Sequence, residues 1–181
     1  MPAIYVASLT DYNHGTLHGV RIELDETSDV DDVTSQVDAM LAESPTVKTG
    51  LSDLAEEYAI HDYEGFGGHA VPEYTPLAQA VQLAAAIDQR GAPFARFLND
   101  RHDESLDDSI TNYEDRLIGT WDTADAYAWE NFEELHPDAY ALVTSSEWVT
   151  FDPDAYVRSD EMDGYEFIET SDGVTVLTPD R

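Results

Sequence analysis

Apolar and polar positions follow two periods along this chain, and they point to strands and helices in alternation. Ile4 to Leu9 is a short β-type run, and Asp11-Tyr-Asn-His-Gly15 behind it has turn chemistry. Val20, Ile22 and Leu24 alternate with Arg21 and Glu23, the two-residue period of a half-buried strand. Val30, Val33, Val37, Met40 and Leu41 then fall on one stripe at helical spacing. Ser28 is a suitable N-cap for that helix, with Asp29, Asp31 and Asp32 in the first turn, where the helix dipole favours anions. Ser44-Pro45 closes it, and Glu57 to Tyr63 predicts a third strand.

Glu64-Gly-Phe-Gly-Gly68 is a flexible break, and the texture changes after it. Thr75-Pro76 reads as an N-cap followed by an N1 proline, and Leu77 to Gln89 is an Ala-rich helix ending at Gly91. A second helix is predicted after Pro93. Residues 72–99 are locally neutral, holding Glu73, Asp88, Arg90 and Arg96, so this stretch reads as a small helical module. Beyond Asp100 the acids return. Ser105 caps a short helix to Tyr113, and Leu117 to Trp121 forms a strand. Thr123 caps a helix carrying Ala124, Tyr127, Ala128, Phe132 and Leu135 on one face. Asp152-Pro153 opens a helix to about Met162, and Asp172-Gly173 turns a hairpin between Tyr165–Glu169 and Val174–Leu177.

Composition changes the picture chiefly through charge. Leu, Ile, Val and Phe total 40 of 181 residues, just above the level at which a strongly charged chain stays disordered. The 19 aromatics supply large buried areas and favour a folded protein with thin cores. Asp and Glu number 39 against 8 Lys and Arg, a formal net charge of −31, and Lys48 is the single lysine. The charge divides into −10 over residues 1–60, −7 over 61–120 and −14 over 121–181. Interleaved in this way, the acids decorate folded elements rather than form a tail.

Several function classes fall away. The absence of cysteine excludes disulfides and thiolate metal sites. The segment MPAIYVASLTD has no basic region or long apolar run, so no signal peptide is expected, and no stretch of about 18 apolar residues suits a membrane span. A cytoplasmic protein that binds neither nucleic acid nor membrane is the expectation, since phosphate backbones and anionic lipids attract basic segments. His61 and His69 flank the Gly-rich loop beside Asp62 and Glu64, but their spacing is no metal motif. Gly65-Phe-Gly-Gly68 lacks the lysine of a phosphate cradle, and Ser145-Ser146 lacks a nucleophile elbow. With acids everywhere, no carboxylate pair stands out as general acid and base, so neither an enzyme nor a bound cofactor is expected.

Like-charge neighbours remain to be explained. Asp29 with Asp32, and Glu130 with Glu133 and Glu134, lie three or four positions apart, each pair costing a few tenths of a kcal/mol. Duplex DNA carries about one charge per 1.7 Å of axis, so a net 31 negative charges at that density span about 50 Å. The chain therefore has charge enough to imitate about one and a half turns of duplex. Adaptation to molar salt is the alternative, because excess Asp with almost no Lys is also what a halophilic protein carries.

Two blocks sharpen the choice. Pro2-Ala-Ile-Tyr-Val-Ala-Ser-Leu-Thr-Asp-Tyr-Asn13 with Leu17-His-Gly19 resembles the opening of the ArdA antirestriction proteins. Ala55-Glu-Glu-Tyr-Ala-Ile-His-Asp-Tyr-Glu-Gly-Phe66 resembles that family's second block, with Tyr58 where Trp is more usual. Gly119-Thr-Trp-Asp122 and the segment from Phe151-Asp-Pro-Asp154 to Val176 are similar in layout. The resemblance implies an α+β fold drawn out as an elongated rod of three small domains, mixed β/α, helical, and mixed β/α. Their boundaries here would be 1–63, 64–103 and 104–181. It also implies a homodimer joined through the C-terminal domain. In function it implies an acidic DNA mimic that occupies the DNA-binding groove of type I restriction–modification enzymes, at the methyltransferase core, and protects incoming mobile DNA. The candidate phosphate-mimicking residues are Asp29, Asp31, Asp32 and Asp38, then Asp103, Glu104, Asp107 and Asp108, then Asp122, Asp125, Glu130, Glu133 and Glu134.

Overall fold

A computed structural model describes residues 1–101 and 103–180. His102, one of the six histidines, lies outside the described residues, as does Arg181. The chain is α+β, with two three-stranded antiparallel sheets in two compact units, Met1–Leu106 and Asp107–Arg181.

In the first unit, β1 (Ala3–Ser8) runs between β2 (Gly19–Glu23) and β3 (Tyr58–Glu64). Ala3 pairs with Glu23 and Glu64, and the β1–β3 register shifts by one bulge at Tyr5/Val6. As the central strand, β1 is covered on both faces, which is why Ala3, Ile4, Val6 and Ala7 form a continuous apolar run rather than an alternating one. Gly19 is required where it stands, opposite Ala7: a Cβ there would lie 2.5 Å from the Val6 carbonyl oxygen and against the Tyr5 ring.

Helix α1 (Leu9–Asn13) occupies part of the segment expected to be a turn. Ser8 caps it, receiving the Asp11 amide at 3.2 Å. Helix α2 (Val30–Ala42) has the stripe read from the sequence, with Val33, Val37, Met40 and Leu41 buried. It packs on β2 and β1. Burial of each of those side chains stabilises by about 1.5–3 kcal/mol.

The cap of α2 is Asp29 rather than Ser28. Ser28 is engaged one turn earlier, where its hydroxyl receives the Asp25 amide and donates to the Asp25 carboxylate. Ser44 does end this region, but by capping a further short helix, α3 (Pro45–Lys48). Helix α4 (Leu77–Leu98) is two helical stretches joined at Gly91, whose φ of 75° only glycine adopts readily. Pro93 follows at the start of the second stretch, where a missing N–H costs nothing. The Thr75-Pro76 cap is displaced by one: Pro76 itself is the N-cap and no side chain bonds there.

The second unit takes in α5 (Leu106–Arg116), which begins at the junction, and β4 (Leu117–Trp121). Helices α6 (Ala124–Leu135), α7 (Pro137–Ser145) and α8 (Pro153–Val157) follow, then a 3-10 turn (Asp160–Met162). β5 (Glu166–Thr170) and β6 (Gly173–Leu177) complete it, with β6 in the centre of the sheet β4-β6-β5. The core gathers Tyr127, Ala128, Tyr156, Met162, Val174 and Val176, with Trp121, Phe132, Phe151 and Phe167 packed around them. Phe132 stacks on Phe151 at 4.2 Å between centroids, so aromatic area does the work that few aliphatics could.

Helix α7 has no counterpart in the sequence reading, because none of its residues is buried and no apolar stripe announces it. The helix expected from Pro153 to Met162 stops at Val157; Ser159 is extended and only a single 3-10 turn resumes.

Candidate acidic surface

The carboxylates follow one rule with three exceptions. Apart from buried Asp11 and half-buried Asp25 and Glu166, every Asp and Glu is exposed. All thirteen candidate residues are among the exposed ones.

On α2, Asp29 receives the Asp31 amide at 2.8 Å, which orients its carboxylate at the helix N-terminus. Asp31 and Asp32 occupy the first turn, where the dipole offsets part of their mutual repulsion. Asp38 is two turns further on, and the buried stripe of α2 holds all four toward solvent. Asp103 and Glu104 stand in the turn before α5, and Asp107 and Asp108 in its first turn. Asp122 precedes α6, and Thr123 caps that helix through the Ala126 amide, placing Asp125 in the first turn. Glu130 is held in place: the Trp121 indole N–H donates to its Oε2 at 2.8 Å. Glu133 and Glu134 follow one turn later on the same helix. Among the described residues Asp31, Asp32, Asp38, Asp125, Glu133 and Glu134 have no ion-pair partner.

One acidic stretch was missed. Asp152, Asp154, Asp160, Glu161 and Asp163 lie exposed along α8 and the 3-10 turn. Asp152 caps α8 through the Ala155 amide at 3.0 Å, and Glu161 is 2.9 Å from His136 Nε2. The signal was the density of acids between 152 and 163, opposed there only by Arg158.

Asp11 is the opposite case. It is 0 % exposed, and its Oδ1 accepts from the Ser44 hydroxyl and the Thr46 amide, each at 2.9 Å. Its Oδ2 has no hydrogen-bond partner. Burial pushes this carboxyl up, but the neighbouring Ser8 hydroxyl and the hydrogen bonds from Thr46 and Ser44 outweigh it and hold the pKa well below the usual carboxylate range. The charge therefore ties α1 to the N-terminus of α3 rather than facing a partner. Asp25 is also held low, by the Thr27 hydroxyl and amide and then by Ser28. In the second unit, burial pushes Tyr127 up to about 12, with Tyr165, Tyr156, Glu134 and Glu130 adding negative potential.

Three of the cations serve structure. Arg21 pairs with Glu64 and Lys48 with Glu43. Arg116, 7 % exposed, donates from Nε to the Thr178 carbonyl at 2.7 Å and from its terminal nitrogens to Asn112 and Glu166. It lies against an open cleft lined by Asp108, Thr111, Asn112, Asp115 and Asp180. The histidines flanking the Gly-rich loop are separately engaged: His61 sits edge-on to Tyr12 and 3.8 Å from Glu73, whereas His69 is 3.2 Å from the Asn99 side-chain oxygen. Among the described residues no group of three or more His, Asp or Glu is placed to hold a metal ion. Nor, among them, is any helix long and apolar enough to cross a membrane.

Such a molecule is defined by its surface: an α+β protein whose distinguishing chemistry is a dispersed set of exposed carboxylates, several of them without an ion-pair partner among the described residues. No curated protein sequence matches the chain. The profile of the antirestriction protein (ArdA) family matches residues 4–176, and the chain belongs to that family.

Proposed function

We propose that this chain is a non-catalytic antirestriction protein that presents its carboxylates in place of DNA phosphates. The target is the DNA-binding groove of a type I restriction–modification enzyme, at the methyltransferase core, and the outcome is protection of incoming mobile DNA. The observation that carries the reading, together with family membership, is that the exposed acids on α2 and α6 stand without cationic partners among the described residues. In a protein with no outside partner, that arrangement costs stability through self-repulsion and returns only solubility. A basic groove built to neutralise phosphates compensates it.

The family resemblance extends this reading to a homodimer joined through the C-terminal region, working in the cytoplasm. It extends it also to three small domains, 1–63, 64–103 and 104–181, set as a rod along which charges are spaced like phosphates. The thirteen candidate acids, with the 152–163 stretch added, form the proposed contact surface.

The test is competition. The purified chain should displace a fluorescent duplex from a type I methyltransferase core, and its affinity should fall steeply as salt rises from low to physiological strength, where exposed charges are screened beyond about 8 Å. Binding that is indifferent to salt, or that leaves the duplex in place, overturns the mimicry.

A second reading, halophilic adaptation with an unrelated protein-binding role, is favoured by the single lysine and by acids on nearly every exposed element. It requires that the chain fold only in molar salt, which thermal denaturation with and without salt decides.

A further inference from the structure

The α7–α8 connection of the second unit carries a side chain that neither its own core nor the charge explains. Trp148 is 93 % exposed, the most exposed of the large apolar residues. Its backbone is nonetheless tied down, the amide donating to the Ser146 hydroxyl at 3.2 Å. The ring makes no contact with another aromatic ring among the described residues, whereas Trp121 and Trp129 both do. Val149 and, on α7, Leu142 are exposed nearby in sequence. Indoles are enriched where one surface meets another, so a fully presented one is a candidate contact point.

The charges around it say with what. Glu147 precedes Trp148, and Asp152 and Asp154 follow at the head of α8, all exposed. A positively charged groove complements these carboxylates. Grooves that hold nucleic acid combine such charge with flat apolar or aromatic slots on which bases stack. Methyltransferases that act on a base extrude it from the duplex into a pocket of that kind.

We infer that Trp148 is a base surrogate: its indole enters the base-stacking slot of the methyltransferase core while the neighbouring carboxylates take the phosphate positions. The inference rests on the mimicry reading and adds to it a contact that does not depend on charge. Carboxylate contacts weaken with salt, whereas stacking does not. The two contributions therefore separate in one experiment.

The full-length chain and its Trp148→Ala and Trp148→Phe variants are titrated against a type I methyltransferase core carrying a fluorescent duplex, over a series of salt concentrations. Because stacking on one base is lost, Trp148→Ala should bind about 5- to 150-fold more weakly at every salt concentration, with the slope of log affinity against log salt unchanged. Trp148→Phe, which keeps an aromatic face, should recover part of the loss. Sedimentation of the same samples should show the same oligomeric state for all three. Trp148→Ala binding within twofold of the parent chain overturns the inference and leaves the mimicry standing. A changed salt slope also overturns it, as does a variant that dissociates into monomers, which assigns the ring to a contact between copies. Failure of the parent chain itself to displace duplex from any core tested removes mimicry and base surrogate together.

Discussion

Replacing Asp11 by alanine should be the most damaging single loss of a carboxylate in the first unit. The residue is fully buried, and its Oδ1 receives both the Ser44 hydroxyl and the Thr46 amide. Without the carboxylate, those two buried donors lose their acceptor, at about 1–3 kcal/mol each. The variant recovers the cost of holding a charge out of water, which is why the sum is not larger. The expected loss is about 2–4 kcal/mol, the two stranded donors less the recovered cost of burying the charge.

Asp11→Asn should lose less, about 1–3 kcal/mol. It keeps an acceptor near Oδ1 but puts an amide NH2 where Oδ2 has no partner. Urea denaturation followed by circular dichroism measures both. Indole fluorescence provides an internal contrast, because Trp121, Trp129 and Trp148 all lie in the second unit.

The effect also has a sign in pH. The folded carboxyl titrates below its unfolded value, about 3.9. Its stabilisation is thus fully present above that value and is lost as pH falls toward the folded pKa. The gap between parent and Asp11→Ala should be constant from pH 5 to 8 and narrow below about pH 4. An Asp11→Ala protein within about 1 kcal/mol of the parent at pH 7, or a gap that widens on acidification, would refute the reasoning.

Neutralising Asp125, Glu130, Glu133 and Glu134 together as amides should weaken binding to the methyltransferase core far more than any one change, and should flatten the salt dependence; a single change that abolishes binding in a folded protein sinks the distributed surface. The same quadruple variant should unfold at a higher temperature than the parent in low salt, because like-charge pairs on α6 are removed, and the difference should shrink at 1 M salt in a melting scan. Arg116→Ala should cost about 3–5 kcal/mol, since it removes a cation from Glu166 and a donor from the Thr178 carbonyl at a nearly buried site. Fluorescence-monitored urea unfolding checks it, and a loss below about 1 kcal/mol would show the arginine to be peripheral.

Much of the secondary structure was legible because it rests on short-range periodicity and cap chemistry. β2, α2 and α6 carry their patterns within a few residues, and the Ser171-Asp172 loop lies between β5 and β6 where the Asp-Gly signal pointed. Helix α7 was not legible, since a helix that buries nothing leaves no apolar stripe. Nor was the capping exchange at Ser28 and Asp29: both residues are good caps, and which one serves depends on the hydrogen bonds that Asp25 draws from Ser28 and Thr27. The candidate acids could be chosen by spacing along helices, but which of them stand without counter-ions required knowing where the scattered cations of the described residues end up.

By itself the sequence determined the net charge, the scarcity of lysine, the apolar stripes and the blocks by which the family is recognised. These are sums or local patterns, and folding does not alter them. Only the tertiary structure decided which carboxylate is taken inside and which aromatic is left out. Asp11 looks like its neighbours until Ser44 and Thr46, more than 30 residues away, close around it. Trp148 looks like a core residue until the core of the second unit fills without it. Satisfaction of hydrogen bonds and filling of volume are properties of the assembled chain, so no window along the sequence contains them.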